Sequence, residues 1–180
     1  MARNIEIKAR IPNMSLLLGK VAAVADSGPT EIPQDDTFFY CPNGRMKLRT
    51  ISACEGMLIF YRRADTAGPK ESFYLIGPTS SPDLLREVLV SGYGQAGRVL
   101  KTRQLFRVGR TRIHLDRVEG LGDFLELEVV LAEGETAESG MEIAHDLLEK
   151  LGVSDEQLVE EAYVDLLALK SIGHAEGSVM

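Results

Sequence analysis

Charged residues occupy every second position in several short segments of this sequence. Glu6 and Lys8 alternate with isoleucine and alanine, and Lys47 and Arg49 alternate with methionine and leucine. Since neighbouring side chains of a β-strand point to opposite faces, each segment would place its charges on one face. Lysine and arginine donate hydrogen bonds to phosphate oxygens, and carboxylates bind Mg²⁺ or Mn²⁺, which bridges phosphates. These residue types therefore suit the binding of a phosphate chain together with a divalent metal.

The sorting of these charges by sign distinguishes them from an ordinary exposed face. Most alternating charge in proteins simply meets water, but such faces mix both signs with threonine, serine and glutamine. Here three strand-like segments are largely basic, whereas Glu126 and Glu128 form an acidic pair that alternates with leucines. We therefore expect the charged faces to line a closed barrel, where a ligand compensates buried charge. A triphosphate with a metal ion matches this mixture better than a sugar or an apolar cofactor does.

The charged segments belong to predicted strands that are separated by turn sequences and helix patterns. The length of 180 residues suits one domain with a full hydrophobic core. We place this domain at residues 1–170 and predict a disordered tail over 171–180. The predicted strands are 4–11, 35–40, 45–51, 57–63, 70–76, 98–108, 111–119 and 123–131, and the predicted helices are 15–25, 83–90, 137–151, 155–158 and 163–169.

Composition excludes some classes of partner and location. The net charge of −7 and the pI near 5.1 argue against nucleic acid as the main partner. No apolar run is long enough to span a bilayer, and residues 1–4 contain nothing typical of a signal peptide. We therefore expect a cytoplasmic protein with no membrane partner, in which Cys41 and Cys54 are reduced. A homodimer formed through the outer surface of the barrel is compatible with the sequence.

Six charged segments follow one another in a specific order along the chain. They are 4–8 (Asn-Ile-Glu-Ile-Lys), 44–49, 61–65, 68–72, 101–103 and 114–128. In this order they resemble the CYTH superfamily, whose opening signature is Glu-x-Glu-x-Lys. That superfamily contains class IV adenylyl cyclases, thiamine triphosphatases and inorganic triphosphatases. The resemblance extends from residue 4 to residue 167.

The resemblance implies an α+β fold, in which an antiparallel eight-stranded closed β-barrel, called a triphosphate tunnel, has helices packed outside. It implies an enzyme that uses Mg²⁺ or Mn²⁺ and binds a small-molecule triphosphate inside the barrel. Metal binding is expected from Glu6, Asp116, Glu126 and Glu128, and Glu6, Lys8 and Asp116 are the candidate catalytic residues. The implied phosphate contacts come from Lys8, Lys47, Arg49, Arg63, Lys101 and Arg103, with Arg45, Lys70 and Arg112 as further candidates.

Asn4 departs from the family signature, which has glutamate at this position. An amide oxygen can ligate a cation but brings no charge, so one metal position would be built differently. Hydrolysis of the triphosphate is the first hypothesis, and cyclisation of ATP to cyclic AMP with release of pyrophosphate is the alternative. A non-catalytic polyphosphate or nucleotide binder and a purely structural barrel are the remaining hypotheses. We interpret His114 as a packing or hydrogen-bonding residue and Tyr163 as a helix-packing residue.

Overall fold

Eight β-strands and four α-helices make up the fold in the computed structural model, which describes residues 2–63 and 69–176. The strands are β1 (Ala2–Arg10), β2 (Ser27–Phe39), β3 (Arg45–Ser52), β4 (Glu55–Arg63), β5 (Lys70–Thr79), β6 (Gln95–Val108), β7 (Thr111–Val118) and β8 (Gly122–Val130). The helices are α1 (Met14–Val24), α2 (Pro82–Tyr93), α3 (Ala137–Leu151) and α4 (Tyr163–Glu176), and a 3-10 turn covers Asp155–Gln157. No helix in the described part of the chain combines the length and apolar character needed to cross a membrane.

The strands close into one antiparallel barrel in the order β1-β5-β4-β3-β2-β6-β7-β8. Closure results because β1 pairs with β5 on one side and with β8 on the other. A closed barrel hydrogen-bonds the strands at what would otherwise be sheet edges. The predicted α+β fold, a closed eight-stranded barrel with helices packed outside, is confirmed.

The hydrophobic core lies between the barrel and the helices. Ile5 and Ile7 of β1 and Leu127 of β8 are buried on the outer face of the barrel, where Leu148 and Leu151 of α3 belong to the same cluster. Burial of this outer face leaves the alternate residues of the same strands directed into the barrel. The position of the core therefore determines that charged side chains share the interior.

Several elements extend beyond their predicted bounds, and the largest differences are at the start of β2 and at the end of α4. The predicted start of β2 at residue 35 is wrong, because β2 begins at Ser27, which pairs with Arg107 of β6, and pairing continues from Thr30 after a shift in register. Proline and glycine near this start favour a loop locally, but pairing with a neighbouring strand satisfies the backbone groups. Helix α4 also runs past its predicted end at residue 169, as far as Glu176.

Candidate active site inside the barrel

A cavity of about 340 Å³ occupies the inside of the barrel and is lined by side chains from all eight strands. Among the described residues, seven basic side chains and four carboxylates contribute to its wall. They are Lys8, Lys47, Arg49, Lys101, Arg103, Arg107, Arg112, Glu6, Asp36, Glu126 and Glu128. The interior is therefore charged, as the alternation and the sorting of charge by sign predict.

The first group of charges, called here the β3 cluster, consists of Asp36, Lys47 and Arg49. Asp36 on β2 pairs in register with Arg49 on β3 and is only 2% exposed. Its two oxygens accept hydrogen bonds from Nε and Nη2 of Arg49, both at 2.8 Å, and Oδ2 also accepts one from Nζ of Lys47 at 2.7 Å. One buried carboxylate thus positions two cationic side chains in the cavity wall.

The second group, called here the β6 cluster, repeats this arrangement with Asp116, Lys101 and Arg103. Asp116 on β7 pairs in register with Arg103 on β6 and is completely buried. It accepts hydrogen bonds from Nε and Nη2 of Arg103, both at 2.7 Å, and from Nζ of Lys101 at 2.8 Å. The hydroxyl of Tyr163, the first residue of α4, donates a further hydrogen bond to Asp116 at 3.0 Å.

Charge compensation determines the protonation states in both clusters. Burial alone would raise the pKa of Asp36 and of Asp116, but the neighbouring lysines and arginines hold both well below the usual range. Burial, followed by repulsion from Arg49, lowers the pKa of Lys47 to about 8. Burial and the charge of Asp116 raise the pKa of Tyr163 well above its ordinary value, which keeps the phenol protonated as a donor.

A third part of the cavity, called here the acidic wall, consists of Glu6, Glu126 and Glu128. Positively charged side chains lie next to these carboxylates. Glu128 on β8 pairs in register with Glu6 on β1, and Glu126 pairs with Lys8. On the other side, β7 places Arg112 opposite Glu128, and the Arg112 Nη1 to Glu128 Oε2 distance is 3.0 Å. Cations flank the wall on both sides, so its carboxylates can remain ionised.

His114 of β7 lies beside the acidic wall, directly opposite Glu126 in the strand register. Its Nε2 atom is 4.0 Å from Oε2 of Glu128, and one ligand atom from each of His114, Glu126 and Glu128 lies within 4.8 Å of the others. Burial, followed by repulsion from Arg103, lowers the pKa of His114 to about 4, so the imidazole is neutral at neutral pH.

The donor set of this wall fits a divalent metal ion. Carboxylate oxygens are the ligands that Mg²⁺ and Mn²⁺ prefer, and Glu6, Glu126 and Glu128 supply three carboxylates on adjacent strands. Asn4, also in the cavity wall, has a buried Oδ1 atom without a hydrogen-bond partner, as expected where an additional group completes the site. Asp116 differs, because both of its oxygens accept hydrogen bonds from cations.

The residues that precede α4 contribute to the cavity wall, and their carbonyl oxygens accept hydrogen bonds from two lysines that are predicted to bind phosphate. Lys8 donates from Nζ to the carbonyl oxygen of Glu161 at 2.8 Å, and Lys70 donates to that of Glu160 at 2.9 Å. The Lys8 Nζ atom also lies 4.3 Å from the centre of the Tyr163 ring. Lys8 and Lys70 thus connect the barrel to the start of α4.

The predicted basic residues separate into three groups. Lys8, Lys47, Arg49, Lys101, Arg103 and Arg112 line the cavity. Lys70 and Arg45 contact the segment around the start of α4, where Arg45 forms an ion pair with Asp165 at 2.8 Å. The side chain of Arg63 lies outside the described residues.

The sequence interpretation missed several members of the site, among them Arg107, Asp36 and Tyr163. Asp36 follows Asp35 directly in the predicted strand 35–40, and alternation alone does not show which of the two faces inward; the structure places Asp36 in the cavity wall with Gln34 and Phe38. Tyr163 does pack against Phe124, with ring centres 4.9 Å apart, but its hydroxyl also contacts Asp116. Helical periodicity carries no signal for a residue that projects from a helix start into a barrel.

Comparison with known proteins agrees with this architecture. The CYTH domain family matches residues 2–163. Adenylate cyclase CyaB of Aeromonas hydrophila is 24% identical over 167 residues, which cover 88% of this chain and 85% of that protein. The PH1012 protein of Pyrococcus horikoshii has a structure with a TM-score of 0.81 and 25% identity, covering 91% of this chain and 98% of its own.

A plant protein shares the same fold. HpAC1 from Hippeastrum, for which a dominant triphosphatase activity is described, has a TM-score of 0.64 and 18% identity, covering 93% of this chain and 95% of its own. The family match spans all eight strands of the barrel and its charged interior, and this chain therefore belongs to the CYTH domain family.

Proposed function

We propose that this CYTH protein is a metal-dependent enzyme that hydrolyses a triphosphate inside its barrel. The observation that carries this proposal is the pair of basic clusters that face one cavity together with an acidic wall. The described cavity wall holds seven basic side chains and four carboxylates, an excess of positive charge that a polyphosphate would neutralise. The size of the cavity, about 340 Å³, also suits a small molecule.

Positioning of the phosphate chain is the main catalytic contribution that we assign to the clusters. Arg49 and Arg103 each present a guanidinium group whose orientation is set by two hydrogen bonds to a buried aspartate. Such groups need little reorganisation when charge develops on the phosphate oxygens, and they stabilise the transition state electrostatically. Asp36 and Asp116 serve as positioning residues for these arginines.

The acidic wall is the part of the site to which we assign metal binding, through Glu6, Glu126 and Glu128. A divalent metal, when bound, neutralises phosphate charge and makes a coordinated water more acidic. Glu6, which stands opposite Glu128 in the register, accepts the proton of the attacking water in this scheme. Mg²⁺ and Mn²⁺ are both compatible with this set of oxygen ligands.

Cyclisation of a nucleoside triphosphate is the second candidate, and an apolar part of the cavity suits the organic group that this reaction requires. Ile32, Ile59, Ile76 and Leu105 line the cavity in addition to its charged groups. Apolar side chains of this kind can contact the organic part of a substrate, which inorganic triphosphate lacks. The name of the Aeromonas relative, adenylate cyclase, agrees with this alternative.

The products formed from defined substrates separate the candidates. Metal-free protein is incubated with ATP, thiamine triphosphate or tripolyphosphate, each with Mg²⁺ or Mn²⁺. Release of inorganic phosphate supports hydrolysis, whereas cyclic AMP with pyrophosphate supports cyclisation. Binding without turnover indicates a non-catalytic binder, and absence of binding overturns the proposal.

Glu126→Gln provides the matched test of metal dependence, with Glu142→Gln on the exposed face of α3 as control. We expect Glu126→Gln to abolish the metal-dependent reaction and Glu142→Gln to retain it. Equal activity of the two variants contradicts the metal role of Glu126.

The remaining expectations from the sequence stay predictions. They are a cytoplasmic location, one domain over residues 1–170, the absence of a nucleic-acid partner and homodimer formation. Size-exclusion chromatography with light scattering tests the last of these directly.

A further inference from the structure

His114 is a buried polar residue whose surroundings do not account for it. Its side chain lines the cavity and the residue is only 4% exposed, yet Nδ1 has no hydrogen-bond partner. The Nε2 atom is 4.0 Å from Oε2 of Glu128, which is longer than a hydrogen bond. Buried imidazoles normally have at least one hydrogen-bond partner, because an unpaired polar atom in the interior is unfavourable.

A packing role does not explain this arrangement. Ile113 and Leu115, the neighbours of His114 on β7, point outward into the hydrophobic core. His114 points the other way, toward Glu126 directly opposite on β8. The imidazole therefore belongs to the charged interior.

The spacing of His114, Glu126 and Glu128 matches the ligand shell of one ion. One ligand atom from each residue lies within 4.8 Å of the other two. Ligands on opposite sides of a divalent ion, each at about 2.1 Å, are about 4.2 Å apart, so small side-chain rotations suffice to bring these atoms to one centre. The ion pairs that Glu126 and Glu128 form with described residues use Oε2 in both cases.

We propose that His114 is a nitrogen ligand of the divalent metal bound by Glu126 and Glu128, and that this ligand makes the site prefer Mn²⁺ to Mg²⁺. Mg²⁺ favours oxygen ligands and retains its water, whereas first-row transition metals accept imidazole nitrogen more readily. The inference deepens the proposed function and rests on its assignment of a metal to the acidic wall.

Pulsed electron paramagnetic resonance of bound Mn²⁺ tests the ligand directly. Metal-free wild-type protein, prepared with ordinary histidine or with ¹⁵N-labelled histidine, is loaded with Mn²⁺ and measured without substrate. We expect ¹⁴N modulation from a directly bound histidine nitrogen, replaced by the ¹⁵N pattern in labelled protein. Mn²⁺ bound without nitrogen coupling, or no Mn²⁺ binding, overturns the inference, and this experiment needs no variant to fold.

Variants assign the coupling to one of the three histidines of the chain. The double variant His145→Gln/His174→Gln retains His114 as the sole histidine and should keep the coupling. His114→Gln should lose it while still binding the ion through oxygen. Loss of the coupling in the double variant contradicts the assignment to His114.

Calorimetry tests the preference between metals. We expect His114→Gln to weaken Mn²⁺ binding about tenfold and to change Mg²⁺ binding about twofold or less. An equal effect on both metals overturns the selectivity.

Release of inorganic phosphate from ATP, thiamine triphosphate or tripolyphosphate by the wild-type protein with Mg²⁺, measured separately, distinguishes the two proposals. Hydrolysis without nitrogen coupling overturns the ligand role and leaves the proposed function intact. Nitrogen coupling without hydrolysis of any of these triphosphates supports the ligand role and contradicts the proposed function.

Discussion

The β3 and β6 clusters have the same chemistry in different surroundings. Each contains the sequence Lys-x-Arg on one strand and a buried aspartate directly opposite the arginine on the next strand. The Lys47 and Arg49 side chains are each 15% exposed, whereas those of Lys101 and Arg103 are 3% and 6% exposed. Burial in a low-dielectric interior strengthens charge interactions and makes unpaired charges more costly.

The contacts of the two clusters differ as well. In the β6 cluster, Asp116 accepts a hydrogen bond from Tyr163, and Arg103 reaches Glu126 of the acidic wall at 3.3 Å. Lysines of both clusters lie over aromatic rings, but Lys101 is 4.9 Å from the centre of the Tyr163 ring, whereas Lys47 is 5.5 Å and 5.7 Å from those of Phe38 and Tyr61. We infer that the β6 cluster orients the reacting phosphate near the metal, whereas the β3 cluster binds the rest of the chain.

Removal of the aspartate charge should have the largest effect. The loss of unfolding free energy should be greater in the β6 cluster than in the β3 cluster. Asp116→Asn removes the counter-charge that two buried cations share and leaves only the 3.3 Å contact of Arg103 with Glu126, so we expect a loss of about 3–5 kcal/mol in unfolding free energy. Asp36→Asn should cost less, because water reaches its two cations more easily. Urea denaturation measures both, with exposed Asp146→Asn as control. Equal losses contradict the difference in burial.

Replacement of each arginine by lysine should affect different kinetic constants in the two clusters. Lysine retains the charge but lacks the two-pronged geometry of guanidinium. We expect Arg103→Lys to lower kcat about a hundredfold, as for a lost transition-state donor. Arg49→Lys should act mainly on KM, by about tenfold, because it alters binding of the distant phosphates. Steady-state kinetics measures both constants. A larger decrease in kcat for Arg49→Lys than for Arg103→Lys would instead assign the reacting phosphate to the β3 cluster.

The pH dependence of kcat/KM should report the β3 cluster. The pKa of Lys47 is lowered to about 8 by burial and by Arg49, so its positive charge is lost as pH rises through that value. Triphosphate capture should therefore weaken above about pH 8, because kcat/KM follows the ionisation of the free enzyme. Lys47→Arg should remove this alkaline decline, since arginine stays charged. An unchanged decline in Lys47→Arg assigns it to another group, and exposed Lys150→Arg is the control.

The same lysine should make the unfolding free energy rise with pH, whereas kcat/KM falls. A folded pKa near 8, below that of an unfolded lysine, means that the unfolded chain holds more protons between about pH 8 and 10.4. The contribution of Lys47 to unfolding free energy therefore rises with pH across this window.

The smallest effect is expected for Tyr163→Phe, which removes one hydrogen bond found in the β6 cluster. The phenyl ring preserves the contact with Lys8, so only the bond to Asp116 is lost. We expect a destabilisation of about 1 kcal/mol. A double-mutant cycle with Asp116→Asn should show coupling, whereas a cycle with Asp36→Asn should be additive.

Local pattern in the sequence predicts a large part of this protein. Alternation along a strand is independent of tertiary context, so it identifies Lys8, Lys47, Lys101 and Glu126 as residues on faces opposite the apolar ones. The same alternation, with helices available to cover the apolar faces, predicts that the charged faces turn inward. The ordered segments then predict the family, which the match to residues 2–163 confirms.

The tertiary structure alone decides which of these charges meet. Asp36 becomes the counter-charge of the β3 cluster only because β2 pairs with β3 and β6 in one register, and a shift of one residue would turn it outward. Tyr163 and Asp116 are 47 residues apart, and the packing of α4 against the barrel brings them together. Residue types and their period are properties of the local chain, whereas register, closure and partner choice depend on contacts between distant segments, which no local pattern encodes.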